Sequence, residues 1–366
     1  MNSSKSQTVR FAGTKNLRSR LILSVLAGRT IVIEDIRVNE SLDGGGIGLK
    51  DYEVSFLRLV DKLTNGSKVK INETGTSIRL VPGVPVGGEF EHECPVGRPI
   101  GYFVEWILPL ALFCKNTVLI KFRGVTNSES ALAIDSIQST TIPLLRRVAG
   151  INLSVKLVKR GAEPGGGGLI IFTCQNAKSI PPLELTDAGV VKRIRGVAYS
   201  TRVAPSYTNR LVGAARGVLN RFTPDVYIYT DHHAKRTGGE SPGFGLSLLA
   251  ESTTHCLTVA DASSGPDAND PEKVALDACS RLLEEIDAGG CVDSNHQGLV
   301  ILMMAFGQED VHSVRLGRLS GFTVQLLRDL RDFMGVEFKV APERDESSVV
   351  LSCIGLGFSN YSKKLS

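Results

Sequence analysis

Arg328, Asp329, Arg331 and Asp332 stand together in "LLRDLRDFMG", acid beside base. Such a set can grip a phosphodiester and open it, with Asp329 as the base and the arginines on the phosphate. The plainer reading is a solvated helix face, with Arg328 and Asp332 as an i,i+4 pair and Leu327, Leu330 and Met334 turned inward. A second candidate is "RGAEPGGGGLII", Arg160 to Ile171, four glycines in a row behind a proline. A nucleotide-binding phosphate cradle would close on Gly-Lys-Ser/Thr, with the lysine reaching the terminal phosphates. Here Leu169 and Ile170 follow, and the residues after Gly168 read as another strand. A tight turn between two strands, where glycine accepts positive φ without steric cost, accounts for the run more simply. His232 and His233 adjoin in "YTDHHAKRTGG". Neighbouring histidines alone do not fix a metal, so this stretch reads as a mobile loop and no metal site is expected. The basic run Lys192, Arg193, Arg195 and Arg202 suits RNA phosphates or an acidic partner segment, and equally suits the solvated edge of a strand.

The scaffold that must position these groups is 366 residues long, room for about two or three domains and a large core. Hydrophobic residues make up 42% and charged residues 22%, which excludes a disordered or membrane-embedded chain. A net charge of +4 is too small to imply a polyanion partner by itself. Its distribution says more: Lys192 to Arg236 holds nine basic and two acidic side chains, and Glu240 to Glu285 holds nine acidic and two basic. That segregation predicts a local field of the kind that selects partners. The seven cysteines are scattered and never form a CxxC, which points to reduced thiols in an intracellular compartment, with neither zinc nor a disulfide framework. The amino-terminal "MNSSKSQTVRFAG" has no secretory h-region. "YFVEWILPLALFC" is too short to span a bilayer and contains Glu105; it predicts a buried helix, and no membrane partner is expected.

Three segments share one shape: an amphipathic helix, a glycine, a strand, a turn and a second strand. They are "FLRLVDKLTNGSKVKINETGTSIRLV", "IPLLRRVAGINLSVKLVKRGAEPGGGGLIIF" and "VQLLRDLRDFMGVEFKVAPERDESSVVLSCI". Gly66, Gly150 and Gly335 sit where a helix ends in the left-handed conformation. An apolar helix and a strand precede each segment, with one more short strand in front. Units this small must pack together to cover their sheets. Gly66 to Gly150 spans 84 residues and Gly150 to Gly335 spans 185; the excess, 185 − 84 = 101, predicts an insert between the second and third units. We place it at residues 187–286, on a body formed by 1–186 and 287–366. Its helix from Pro205 carries Tyr207, Leu211, Ala215, Val218 and Phe222 on one core-facing stripe, with Arg210 and Arg221 sharing another face.

Three repeats, an insert of about 100 residues before the third, and R-G-x-x-P-x-G-G-G-x-[LIV] closing the second together resemble the RNA 3′-terminal phosphate cyclase family. Arg160, Gly161, Pro164, Gly166, Gly167, Gly168 and Ile170 fill that signature. The resemblance implies an α/β (α+β) fold of three β-α-β-α-β-β units similar to the C-terminal domain of translation initiation factor three, with a smaller thioredoxin-like insert. Cyclases of this family adenylate a histidine with ATP and pass AMP to an RNA 3′-phosphate, which the neighbouring 2′-hydroxyl closes into a cyclic phosphate. That histidine stands in a pattern like V-G-E-H-L-A-D-Q. Here the matching "VDSNHQGL" puts Asn295 at the nucleophile position, and an amide nitrogen has no free lone pair to offer. His296 is one residue on, about 100° around a helix, and reads as a polar helix-start residue pointing elsewhere. At the amino-terminal pattern G-E-G-G-G-Q-I-L-R this chain has Phe11 for the Glu and Lys15 for the Gln, and retains Arg18; Arg37 keeps a further basic position.

Loss of the nucleophile with retention of arginines resembles the cyclase-like, ribosome-assembly branch of the family. The resemblance implies a non-catalytic factor in small (40S) ribosomal subunit biogenesis, needed for early pre-rRNA processing in the small-subunit processome of the nucleolus. It implies as partners a ribosome-assembly GTPase, pre-rRNA and a small nucleolar ribonucleoprotein, and no cofactor. Arg18, Arg37 and His296, with Arg328, Asp329 and Arg331, are the candidate anion or RNA contacts. Arg18 and Arg37 are expected to lack carboxylate partners and so to need an anion. The alternative is an enzyme: an endonuclease cleaving pre-rRNA, or a residual RNA 3′-phosphate cyclase.

Overall fold

In the computed structural model, which describes residues 8–39, 46–234, 236–265, 269–343 and 348–360, one strand-and-helix pattern is laid down three times. The first unit comprises β1 (Val9–Ala12), α1 (Leu17–Ala27), β2 (Ile31–Glu34), α2 (Asp51–Leu63), β3 (Thr64–Asn65), β4 (Lys68–Ile71), β5 (Ile78–Val81) and β6 (Val84–Pro85), which returns to pair with β3. The second comprises β7 (Gly88–Glu93), α3 (Ile100–Leu112), β8 (Val118–Gly124), α4 (Ile134–Ser136), a π-helical turn (Ile137–Thr141), α5 (Ile142–Ala149), β9 (Leu153–Lys159) and β10 (Gly168–Cys174). The third opens with β11 (Glu184–Leu185). The chain then builds β12 (Val191–Thr201), α6 (Ser206–Leu219), β13 (Val226–His233), β14 (Gly243–Ser252), β15 (Leu257–Ser263) and α7 (Pro271–Ala288). It returns to complete the third unit with α8 (Gln297–Ala305), β16 (Val311–Leu316), α9 (Gly321–Met334), β17 (Lys339–Pro342) and β18 (Val349–Ile354). Residues 1–7 of the polar amino-terminal stretch and residues 344–347 of the last strand–strand turn lie outside the described residues.

The three sheets share one topology: β1-β2-β5-β4, β7-β8-β10-β9 and β11-β16-β18-β17. In each, the first pair is parallel and the remaining pairs are antiparallel. The extra elements form a fourth sheet, β13-β12-β14-β15, with β13 and β12 parallel. Because β11 precedes them, they interrupt the third unit after its first strand instead of separating the second unit from the third. Their core is a cluster of its own, drawn from residues between Ile194 and Leu282, while the three units share the larger core. No helix among the described residues is long and apolar enough to cross a membrane.

Local sequence explains much of this. α3 is buried at every residue except Glu105, as an apolar helix of this length must be when it lies in the middle of a protein. Gly150 (φ 62) and Gly335 (φ 72) end α5 and α9 in the left-handed conformation. Gly66 does not end α2: Thr64 does, its hydroxyl donating to the Val60 carbonyl, because the chain turns at once to pair with Val84–Pro85. α6 stops at Leu219, so Arg221 leaves the helix and Phe222 is exposed instead of completing the stripe. Inside the stripe, Leu211 and Ala215 are fully buried.

Three expectations for the inserted segment are corrected. The basic strand β12 lies between β13 and β14 and is not an edge. The segregated charges meet on folding: Arg193 pairs with Glu251 at 2.6 Å, and Arg210 of α6 bonds Glu272 of α7 at 2.7 Å, so much of the field expected from the sequence is neutralised within the fold. His232 and His233 end β13 and do not form a loop; they bond Ser200 at 2.8 Å and Asp231.

Candidate functional site

α1, α3 and α8 are the equivalent first helices of the three units, and their amino-terminal ends meet along one trough. The positive end of each helix dipole lies toward this region. The first part of the trough is a cavity of about 220 Å³ walled by Asn16, Arg18, Arg37, Tyr52, Arg98 and Tyr102, among others. Arg18, Trp106 and Phe322 also wall a second cavity of about 310 Å³, which reaches Asn295. Ser294 and Asn295 continue into a third, about 500 Å³, between the body and the inserted sheet, where Arg281 and Arg318 stand.

The arginines in the first cavity are held differently. Arg18 donates to Glu105 at 2.9 Å and to the Tyr102 carbonyl, and its guanidinium lies 3.8 Å from the Tyr102 ring centre. Arg37, in the left-handed conformation (φ 47), makes a two-pronged bond to Glu53 at 2.6 and 2.7 Å. Glu53 also accepts from the Lys50 backbone N–H and so caps α2. Both arginines therefore have carboxylate partners, contrary to expectation. Each is oriented by a fixed acid.

Arg98 has no carboxylate partner among the described residues. Its guanidinium sits 5.0 Å from the Tyr52 ring centre and 5.8 Å from that of Tyr102. Its Nε is buried without a hydrogen bond, and so is the Nδ2 of Asn16 in the same cavity. Both residues line this cavity, and a buried unmet donor costs about 1–3 kcal/mol. Three guanidiniums less two carboxylates (Glu53, Glu105) leave one positive charge there. Beside it, the exposed Phe322 ring meets the buried Trp106 edge to face at 5.8 Å.

Asn295 is exposed and faces the second and third cavities. His296 points the other way into the core, bonding Asp293 at 2.8 Å through Nδ1 and Thr141 at 2.7 Å through Nε2. Burial disfavours its charge, but the Asp293 carboxylate outweighs that and raises its pKa. With both ring nitrogens engaged away from the trough, His296 contacts no anion there. Phe11 stacks on Phe333 and lies 3.9 Å beneath the Arg20 guanidinium, filling the contact between the first and third units.

The acid-and-base cluster of α9 does not form a site. Asp329 is fully buried and bonds Arg20 at 3.0 Å and Gln325 at 2.8 Å, so the proposed base is the carboxylate of an ion pair joining α1 to α9. Arg328 and Arg331 are on the exposed face, and Asp332 lies 3.5 Å from Arg331 instead of pairing with Arg328. The glycine run is a strand–strand turn between β9 and β10, and its surroundings explain its composition. Gly165 N–H donates to Ser241, and the Glu240 N–H donates to the Gly166 carbonyl. A Cβ at Gly161 would meet the Gly168 nitrogen at 2.4 Å, and one at Gly168 would meet Thr126 at 2.7 Å. Arg160, 2% exposed, bonds Asp135 through both Nη atoms at 2.7 Å and Asp231 through Nε at 2.7 Å. The signature thus clamps the inserted sheet to the body and stands apart from the trough. Among the described residues no cluster of metal-ligating side chains forms.

Arg98, Tyr52, Asn16 and Trp106 escaped the sequence reading. No local signal marked Arg98, which stands one residue before the N-cap of α3 whereas Arg18 lies inside α1.

Three tandem units, the interrupted third, and the clamp of Arg160 and its glycines define a cyclase-type scaffold, and the chain belongs to the RNA 3′-terminal phosphate cyclase family, whose model matches residues 9–340. Within that family it is 44% identical to the RNA 3′-terminal phosphate cyclase-like protein of Mus musculus, over 99% of this chain and all of the relative. An rRNA processing protein of Schizosaccharomyces pombe is 41% identical over 99% of both chains, and one of Saccharomyces cerevisiae is 35% identical over the whole of both.

Proposed function

We propose that this chain is a non-catalytic member of its family that holds RNA by its phosphates in the trough during early pre-rRNA processing for the small ribosomal subunit. One observation carries the reading: Asn16 and Arg98, each with a buried donor that no protein group meets, line one cavity that also bears a net positive charge. A phosphate that enters this cavity can draw both side chains round to it, and the exposed Phe322 ring next to it suits an unstacked base. Adenylylation needs an imidazole at the position that Asn295 holds, and His296 is engaged elsewhere. Relatives named for rRNA processing support the setting. In it the chain acts in the nucleolar small-subunit processome, with a ribosome-assembly GTPase, pre-rRNA and a small nucleolar ribonucleoprotein as partners. Binding of the full-length protein to single-stranded RNA over a salt series tests this. Arg98→Ala should weaken binding and flatten the salt dependence by about one counterion. Unchanged affinity and slope would move the RNA off the trough.

A further inference from the structure

Away from the trough, a further cavity of about 350 Å³ opens on the seam between the body and the inserted sheet, and it has two thiols in its wall. Cys256 lies in the turn between β14 and β15, and Cys291 precedes α8. The next residues, Leu257 and Val292, form a parallel bridge. That bridge, where parallel chains run about 4.8 Å apart, sets Cys256 and Cys291 at adjacent positions one residue before it, and both line the cavity. They interact directly: Cys291 beside it holds the Cys256 thiol well below its ordinary value, and Cys291 is raised in turn. Arg147 also lines the cavity and favours the Cys256 thiolate. Cys94, Cys114, Cys174, Cys279 and Cys353 are all raised by burial, so the thiolate in this protein is concentrated at one place.

We propose that Cys256 and Cys291 are a redox-active dithiol, oxidised through this cavity by a low-molecular-weight disulfide of the glutathione type. The cavity falls within the size range of small-molecule sites, and Arg147 supplies a cation for the carboxylates of such a peptide. Cys256 thiolate attacks one sulfur of the small disulfide; that S–S bond breaks, and one thiolate leaves and takes up a proton. Cys291 then gives its proton to solvent and attacks the Cys256 sulfur, releasing the second small thiol. Two protein thiols become one disulfide, and one small disulfide becomes two thiols. The product joins the inserted sheet covalently to the segment entering α8, four residues before Asn295.

The test uses the full-length native protein, incubated with glutathione disulfide and mapped by mass spectrometry without reduction. The expected result is a Cys256–Cys291 linked peptide with the other five cysteines unmodified, reversed by reduced glutathione. Cys291→Ser should stop at a stable glutathione adduct on Cys256, and iodoacetamide at neutral pH should alkylate Cys256 at least about tenfold faster than any other cysteine. Two free thiols at every glutathione ratio would overturn the proposal, as would uniform modification of all seven cysteines. Failure of the Cys291→Ser protein to take up glutathione at Cys256 would overturn the order of attack and the proposal with it.

Discussion

Replacing Arg160 tests whether the family signature is a clamp. The Asp135 carboxylate is 6% exposed and accepts both Arg160 Nη groups and the Asn127 amide, each at 2.7 Å. Burial pushes its pKa up, but the charge and hydrogen bonds of Arg160 prevail and hold it below the ordinary carboxylate value. Arg160→Ala removes that compensation and leaves a buried carboxylate facing one amide, a defect worth about 3–5 kcal/mol. The pH dependence gives the sharper test. In the parent protein the lowered Asp135 contributes stability that is complete above its unfolded value and is lost as pH falls through the folded one. In the variant, burial outweighs the remaining Asn127 bond and raises the carboxyl, so the penalty is complete near pH 7 and fades as pH falls toward the unfolded value. Both effects narrow the gap on acidification. Urea unfolding at pH 7 and pH 5 should show a large difference at pH 7 and a smaller one at pH 5. Adding Asp135→Asn to the variant should restore stability at pH 7. A loss below about 1 kcal/mol, the range of an exposed ion pair, or an equal loss at both pH values would refute the clamp.

What the sequence made legible is what short-range physics controls. Period and length marked α3 as a buried helix, and repeated glycines marked the ends of α5 and α9. The repeat itself implied sheets that pack together, because none can cover both faces alone. The partners of charged groups were not legible, since they are set by chain separation that no local window spans. Asp329 read naturally against its helix neighbours, yet its partner Arg20 is 309 residues away. Arg18 finds Glu105 across 87 residues, and the expectation of unpaired arginines failed for that reason. The opposite charges of the inserted segment seemed separated until β12 met β14 and α6 met α7. Asn16 and Arg98 became informative only when folding buried their donors and left them unmet.

Incubation with labelled ATP and a divalent metal should leave no covalent AMP adduct on denaturing electrophoresis, because Asn295 faces the trough and His296 does not; a labelled band would defeat the non-catalytic reading. Asp329→Asn should lower stability, since it weakens a buried pair with Arg20, while leaving RNA affinity unchanged; weaker RNA binding at equal folding would return α9 to the site. The last prediction concerns the inserted segment. Its core draws on residues from Ile194 to Leu282 and is separate from the core of the three units. Replacing residues 187–286 by a short linker should therefore leave a soluble body that unfolds cooperatively. The seam is not cost-free. Ser136 loses its 2.6 Å bond to Asp261, Arg160 loses Asp231, Asp293 loses the Val259 N–H, and Cys256 leaves the larger core. Arg160 keeps Asp135, and that pair gains water on the side the sheet now covers, so its desolvation is relieved while its bonds remain. The losses are thus hydrogen bonds and partly exposed ion pairs, among them Arg281 to Glu129, at a newly wetted surface, each bond worth about 0.5–1.5 kcal/mol, and no buried charge is left bare. The truncated body should show one urea transition at a lower midpoint, with near-ultraviolet circular dichroism retained. A body that binds hydrophobic dye and shows no cooperative transition would mean that the sheet and the three units form one folding unit.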